Sequence, residues 1–372
     1  MDLIYIFTFD YSLSTWSSSG HISRESLYFK NLNEDIFDKI TLITYGDDAD
    51  YEFIDDFKNI NIVPIYSFTK RPKLKILRYL KSFYLPFLLK KLLVLSNAAV
   101  IKQNQLQGCW VSIILKFITN NKIIIRTGYD AFTFSIYNKK NYIIRFFYYL
   151  LTQFALIFSD KYTVTSKVDK NFLEKNFITK KNIFIIPNWV KYSSFVEIKD
   201  RIDNVILSIG RIEKQKNLFQ LIDELEGSTF KILHIGTGSQ KNSLVKYAQQ
   251  KKLELEIIDN LENSEIYNLL NKHKFYASLS HYEGNSKTIL EALGAGCIVF
   301  ASNIINNREL ITNNVNGILI ELSSNNLLSE IELVLDDINL QKKIQINATK
   351  RIKKINSLSK IIKLEDELIQ IL

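Results

Sequence analysis

The chain alternates short apolar runs with longer amphipathic stretches along nearly its whole length. Runs of about four to eight residues rich in Ile, Val, Leu and aromatics, too apolar to leave one face wet, read as strands buried on both sides. In the first half these are the start of the chain to about Phe9, then 40–45, 60–65, 98–102, 122–126 and 161–165, and the segment 183–190 closes the half with a strand and a Pro-Asn turn. A loop carrying Ser and Gly is expected at 12–20, and a helix at 22–31. In the second half the strands fall at 205–210, 230–238, 253–258, 275–279, 298–301 and 317–321. Helices are expected near 218–225, 244–250, 264–271, 288–293, 307–312 and 357–372. Such alternation predicts two doubly wound parallel sheets in tandem, with the polar stretch 191–204 as their connection.

Two stretches stand apart from this pattern. Residues 70–91 carry eight cations and no acid, interleaved with Leu, Ile, Phe and Tyr, as a helix lying in a membrane interface would. Residues 143–158 are apolar apart from Arg145 and a few polar side chains. They fall short of the roughly 20 residues that span a bilayer and read as a buried domain helix.

Composition narrows the chemistry. With 47% hydrophobic and 23% charged residues, the 372-residue chain is globular. Its two cysteines, Cys109 and Cys297, make neither a disulfide framework nor a structural zinc site, and its four histidines form no metal-binding spacing. The net charge of +9 reflects either a compositional bias towards Lys or an anionic partner such as nucleic acid, a phosphate-bearing substrate or a membrane surface, and composition alone does not choose. No zinc finger, RRM signature or basic heptad is present, so nucleic acid is not expected. The opening MDLIYIFTFDYS has an acid at position 2, no basic region and no small-residue cleavage site, and reads as a first strand rather than an export signal.

The strongest chemical signal is His281-Tyr282-Glu283-Gly284-Asn285-Ser286, running through Lys287 to Glu291. It predicts a strand, a loop bearing Glu283, and a helix bearing Glu291 on its second turn. The helix start between the two carboxylates offers N–H groups to phosphate oxygens. Carboxylate, amide donors and carboxylate in that order suit a sugar hydroxyl, a diphosphate and a ribose. Upstream, Gly210 and Arg211 end a strand and Lys216 follows; two cations there would neutralise a diphosphate. Gly236 and Gly238 end the next strand and let backbone approach a ligand. Asp48-Ala49-Asp50 is a literal DxD, read here as part of an acidic surface loop.

Taken together, these segments resemble the retaining glycosyltransferases of family 4, glycosyl transferases group 1, over most of 205–322. GRIEKQKN, HIGTG, SHYEGNSKTILEALGAGCIV and NNVNGILIE stand in the family's order, and IIPNWV resembles the strand that precedes its linker. The resemblance implies the GT-B fold: two Rossmann-like domains facing a cleft, with a C-terminal helix crossing back to the first. It places an acceptor-binding domain at 1–192, a nucleotide-sugar-binding domain at 193–354, and the returning helix at 355–372. It also implies a metal-independent enzyme with no cofactor beyond its UDP- or GDP-sugar donor, in which fixed cations do a metal's work. Arg211 and Lys216 would hold the diphosphate, Glu283 the sugar hydroxyls and Glu291 the ribose. Gly210, Gly236, Gly238, Gly284, Asn285, Ser286 and Lys287 would line the donor pocket. The acceptor would be a glycan or lipid-linked glycan of bacterial surface polysaccharide, met in the cytoplasm at the inner membrane face, with 70–91 touching the membrane.

The first half departs from the family. Its loop after the first strand, Ser17-Ser18-Ser19-Gly20, holds one glycine where several are usual. No His stands at 126–130, and Lys191 replaces a common Asp. Gly20, His21, Arg24 with Glu25, Arg126, Tyr129 and Asp130 are the acceptor-side candidates. Two other readings remain open: a nucleotide-sugar epimerase of the same fold, and a basic membrane- or nucleic-acid-binding protein without catalysis.

Overall fold

The structure, a computed structural model, describes residues 1–32, 36–93, 99–180, 182–191 and 196–372. The expected strand start at Ala98 and the domain boundary between 192 and 193 lie outside the described residues. The chain divides into two compact units, Met1–Ile186 with Ile362–Leu372, and Pro187–Ile361.

The first unit is a parallel sheet of seven strands: β1 Asp2–Ile6, β2 Lys39–Thr44, β3 Ile60–Pro64, β4 Ala99–Asn104, β5 Lys122–Arg126, β6 Lys161–Val164 and β7 Ile183–Ile185. Their order is β3-β2-β1-β4-β5-β6-β7. Its helices are α1 Leu13–Ser18, α2 Ile22–Lys30, α3 Lys75–Ser82, α4 Leu85–Leu92, α5 Cys109–Thr119, α6 Ala131–Tyr137, α7 Tyr142–Phe158 and α8 Lys167–Asn176. The second unit is a parallel sheet of six: β8 Ile202–Ile209, β9 Lys231–Ile235, β10 Leu255–Ile258, β11 His273–Ser278, β12 Ile298–Ser302 and β13 Ile318–Ile320, ordered β10-β9-β8-β11-β12-β13. Helices α9 Leu218–Glu224, α10 Lys241–Gln250, α11 Asn263–Lys272, α12 Lys287–Gly294, α13 Ile305–Leu310, α14 Leu327–Asp336 and α15 Ile338–Ile355 cover it; α16 Leu358–Gln370 closes the chain.

The strands of the second sheet bury successive side chains on opposite faces. Ile206, Phe275, Ile298 and Phe300 join one core, while Leu207, Tyr276, Val299 and Ala301 join another. This two-sided burial is why the strands read as continuous apolar runs rather than as alternations.

Several expectations need correction. Residues 12–20 are not a loop, because Leu13–Ser18 is helical. Ser12 caps it by accepting the Thr15 N–H at 3.1 Å, and Trp16 stacks on Phe7 at 4.1 Å. Asp50 is no surface acid: it is buried, accepts Ser14 N–H at 3.1 Å, and takes a further bond from Thr44. The basic stretch 70–91 is two helices, α3 and α4, with Pro86 in the first turn of the second. Residues 322–356, unassigned from sequence, fold as α14 and α15, and α15 packs on α12.

The end of α16 belongs to the first unit through a buried polar knot. Lys102 on β4 pairs with Glu365 at 2.8 Å and donates to Tyr28 Oη at 2.7 Å, while Tyr28 donates to Glu365. Burial pulls the Lys102 amine below its ordinary pKa, and Glu365 opposes that shift. Neither charge would be tolerable there without the other.

Candidate active site

In a doubly wound sheet the crevice for ligands opens where the strand order reverses, beyond the carboxyl ends of the strands. In the second unit that point lies between β8 and β11. The two loops that leave it are 210–217 and 279–286, which hold most of the donor-side residues singled out from sequence.

Side chains and backbone tie these loops together. His281 N–H donates to Gln215 O at 2.9 Å, and Gln215 Nε2 donates to Tyr282 O at 2.9 Å. Across this junction Lys216 Nζ lies 2.6 Å from Glu283 Oε1, with Glu283 buried and Lys216 half-buried. A cation and a carboxylate from loops 67 residues apart thus meet at the switch point. Arg211 is exposed at the start of the first loop. It faces the Tyr282 phenol electrostatically, although burial is the larger influence and raises that phenol's pKa.

The glycines explain themselves by contact. Gly236 has φ +138°, and a Cβ there would lie 2.0 Å from Gly210 O. Gly238 would place a Cβ 2.3 Å from Ile212 O. Gly210, at φ +147°, passes directly under the Lys216 side chain. Two strand ends therefore run closer together than side chains permit. His234 fixes this crossing from below, its Nε2 2.9 Å from Gly210 O. Burial lowers the His234 pKa to about 4, so the ring is neutral at pH 7 and donates from Nε2. Beside it, Glu213 accepts the Ser239 N–H and hydroxyl, which hold its carboxyl below the usual range.

The second loop is anchored by asparagines. Asn188, in the turn after β7, donates Nδ2–H to Asn285 O at 2.8 Å, and Asn356 donates to Asn188 O at 2.8 Å. Ser286 holds the N-cap position of α12 but makes no capping bond with its side chain; its hydroxyl lies 3.3 Å from Thr288 Oγ1. Lys287 begins the helix, and Glu291 is buried one turn on. Tyr276 on β11 is buried below the loop; burial raises its phenol pKa, and Glu283 and Glu291 add to that. An anion at the start of α12 would meet backbone N–H groups, the helix dipole and the Lys216 ammonium together.

Sequence reasoning missed His234, Gln215 and Asn188. A histidine inside the apolar strand KILHI was the available signal for the first, since an apolar strand tolerates a polar ring only when it has a partner. Gln215 carries no such mark, because its bond to Tyr282 exists only once the loops meet.

The acceptor-side candidates lie in the first unit and are less unified. Gly20 has φ +67° after α1, and His21 holds the N-cap position of α2. Arg24 is buried and paired with its neighbour Glu25. Arg126 ends β5, and Tyr129 is 46% exposed beside Phe134. Asp130 has a local duty: it is buried and caps α6, accepting Thr133 N–H at 2.6 Å. Burial raises its carboxyl pKa.

Comparison with known proteins agrees with this geometry. The family glycosyl transferases group 1 matches residues 193–351. A Campylobacter jejuni N-acetylgalactosamine-N,N'-diacetylbacillosaminyl-diphospho-undecaprenol 4-alpha-N-acetylgalactosaminyltransferase is 28% identical over 155 residues, 41% of this chain and 42% of that protein. The amylovoran biosynthesis glycosyltransferase AmsD of Erwinia amylovora is 28% identical over 158 residues, 38% of this chain and 43% of that protein. The chain thus spans less than half the length of these two relatives. HepE from Anabaena, solved with UDP-glucose, superposes over 100% of both chains at a TM-score of 0.77 and 17% identity. A glycosyltransferase from Rickettsia africae superposes over 99% of this chain and 98% of its own at 0.72 and 18%. The second unit thus matches the glycosyl transferases group 1 family, and the chain as a whole shares the GT-B fold of these solved structures.

Proposed function

We propose that the protein is a retaining glycosyltransferase that moves a sugar from a nucleoside diphosphate sugar to a glycan or lipid-linked glycan during bacterial surface polysaccharide assembly. The observation that carries this reading is the Lys216–Glu283 pair at 2.6 Å, set at the switch point beside the N-terminus of α12. The Campylobacter relative's name describes a diphospho-undecaprenol acceptor, the Erwinia relative's name a polysaccharide, and HepE was crystallised with UDP-glucose. Each supports the corresponding part of the proposal.

In this reading Lys216 and Arg211 face the diphosphate, and the first-turn amides of α12 take its oxygens. As the glycosidic bond to the diphosphate breaks, negative charge grows where these donors already point, which lowers the barrier without reorganisation. Glu283 accepts hydrogen bonds from the sugar hydroxyls, and its contact with Lys216 holds both side chains in place before the donor arrives. Glu291 accepts from the ribose. Gly236 and Gly238 shape the wall of the donor pocket by letting the chain pass close to Gly210 O and Ile212 O. Arg126, Tyr129 and the Gly20–Arg24 segment serve the acceptor in the first unit.

Calorimetry with UDP, GDP and a panel of their sugars, without added metal, tests this. Saturable binding that weakens in Arg211→Ala is expected and would identify the base. A folded protein that binds none of them would overturn the assignment. Isomerised sugar nucleotide released without acceptor would move it to an epimerase.

A further inference from the structure

Most of the exposed large apolar side chains of the described residues lie in the first unit, and more than half of those sit on two helical segments. On α3, α4 and their junction, Leu74, Ile76, Leu80, Phe83, Tyr84 and Phe87 are each about half exposed or more. On α7, Ile143, Phe146, Phe147 and Leu150 form an i, i+3, i+4, i+7 stripe, with Ile143 at 78% exposure. The expectation of a buried helix at 143–158 therefore fails for its first half. Its buried residues, Leu151, Thr152, Ala155 and Leu156, all lie in the second half. Among the described residues no helix is long and apolar enough to cross a membrane.

The two segments are neighbours. Helix α5 packs against both α4 and α7. Tyr79 of α3 meets Trp110 of α5 with ring centroids 5.9 Å apart, and on α7 Tyr148 Oη accepts Gln107 Nε2 at 3.2 Å. Both segments also begin at the same edge of the sheet. Chain leaving a parallel strand starts at its carboxyl end, so α3 after β3, and α6 and then α7 after β5, bring their first residues to the edge that carries Arg126 and Tyr129.

Charge selects the occupant. Residues 70–91 and 131–159 contain no Asp or Glu, while Lys73, Lys75, Lys90 and Lys91 flank the first stripe and Lys139 and Lys140 precede the second. Arg71 and Arg78 are held by Asp10, and Lys81 by Lys70 O, so they stiffen the segment while the other lysines face outward. An apolar strip bordered by cations and free of acids fits an anionic lipid surface, with aromatic and aliphatic tips in the acyl boundary and ammonium groups among the phosphates.

We infer that α3, α4 and the first half of α7 form one docking surface for an anionic bilayer, which holds the acceptor-side edge of the first sheet at the membrane. This deepens the reading of a lipid-linked acceptor and takes its purpose from it, but its evidence is the surface alone. The test is co-sedimentation of the full chain with vesicles of phosphatidylglycerol and phosphatidylcholine, and with phosphatidylcholine alone, with no sugar donor present. Binding to the mixed vesicles, weaker on phosphatidylcholine, is expected. Ile143→Ser with Phe147→Ser should weaken it about tenfold, as should Ile76→Ser with Leu80→Ser, each methylene contributing separately. Lys73→Ser with Lys75→Ser should reduce its dependence on salt. Nucleotide-sugar binding measured on the same samples should not move, which separates failure of the surface from failure of the donor site. Absence of vesicle binding, full binding by the α7 double variant, or a stable dimer that loses its contact in that variant would each overturn the inference.

Discussion

Beside the switch point of the second sheet, where β8 and β9 end, backbone meets backbone. Gly236 passes Gly210 O, Gly238 passes Ile212 O, and buried polar groups stand above them: Glu283, Asn285, Ser286 and Glu291. At the corresponding point of the first sheet, between β1 and β4, the space is filled by rings instead. Phe9 stacks on Tyr79 at 4.6 Å and meets Tyr45 at 5.1 Å, and Gln103 ties the loop through its Nε2 to Phe7 O at 3.3 Å. The same topology therefore carries two kinds of edge. Close backbone approach and buried carboxylates leave a cradle for a small, charged ligand. Ring packing makes a stiffer shelf, with the proposed acceptor-side Tyr129 exposed at its rim.

The largest effect should come from the first unit's scaffold rather than from either edge. Lys102→Met strands Glu365 in the interior and should cost about 3–5 kcal/mol, read by urea unfolding. Replacing both partners, Lys102→Met with Glu365→Leu, should restore much of that loss. If the single variant is as stable as the parent, the knot does not hold α16.

Next is the donor edge. Glu283→Ala or Lys216→Ala should lower kcat/KM for transfer by roughly a hundredfold to a thousandfold, the usual scale for removing one preorganised electrostatic group. Circular dichroism should show the fold kept. An equal loss from Arg126→Ala would erase the asymmetry between the edges.

Acid should then find the second unit first. The His234 pKa falls to about 4 in the folded chain from an ordinary 6.5, because burial penalises the charged ring. Between these values the unfolded chain binds the extra proton, so stability present above pH 6.5 is lost as pH falls towards 4, by up to about 3 kcal/mol. Burial also lowers His273 in the same unit and adds in the same direction. Thermal unfolding from pH 8 to pH 4 should show this slope, shallower in His234→Gln. A parallel, undiminished slope in the variant would place the proton elsewhere.

The smallest effect belongs to the exposed rim. Tyr129→Ala should raise the KM for acceptor roughly threefold to tenfold while leaving nucleotide affinity untouched. A change in nucleotide affinity instead would mean that the first unit contributes to the donor site.

Much of this molecule was legible before its structure. Strands buried on both faces are apolar throughout, so β5, β8 and β12 could be placed from composition to within a few residues. The cues for the proposed donor edge are local as well: Gly210, Gly236 and Gly238 stand where the chain must turn out of a strand, and Glu283 and Glu291, eight residues apart, bracket a helix start. What only the tertiary structure decided were relations between distant segments. That Lys216 faces Glu283, that His234 supports Gly210, and that Lys102, Tyr28 and Glu365 close one knot depend on strand order, which no local pattern encodes. The helix at 13–18 escaped notice because six residues are too few to show a period, and its stability comes from Ser12, Asp50 and the Phe7 ring. The outward face of α7 escaped for the converse reason. An apolar helix reads the same whether a core or a lipid surface is to cover it, and only the packing of its neighbours tells the two apart.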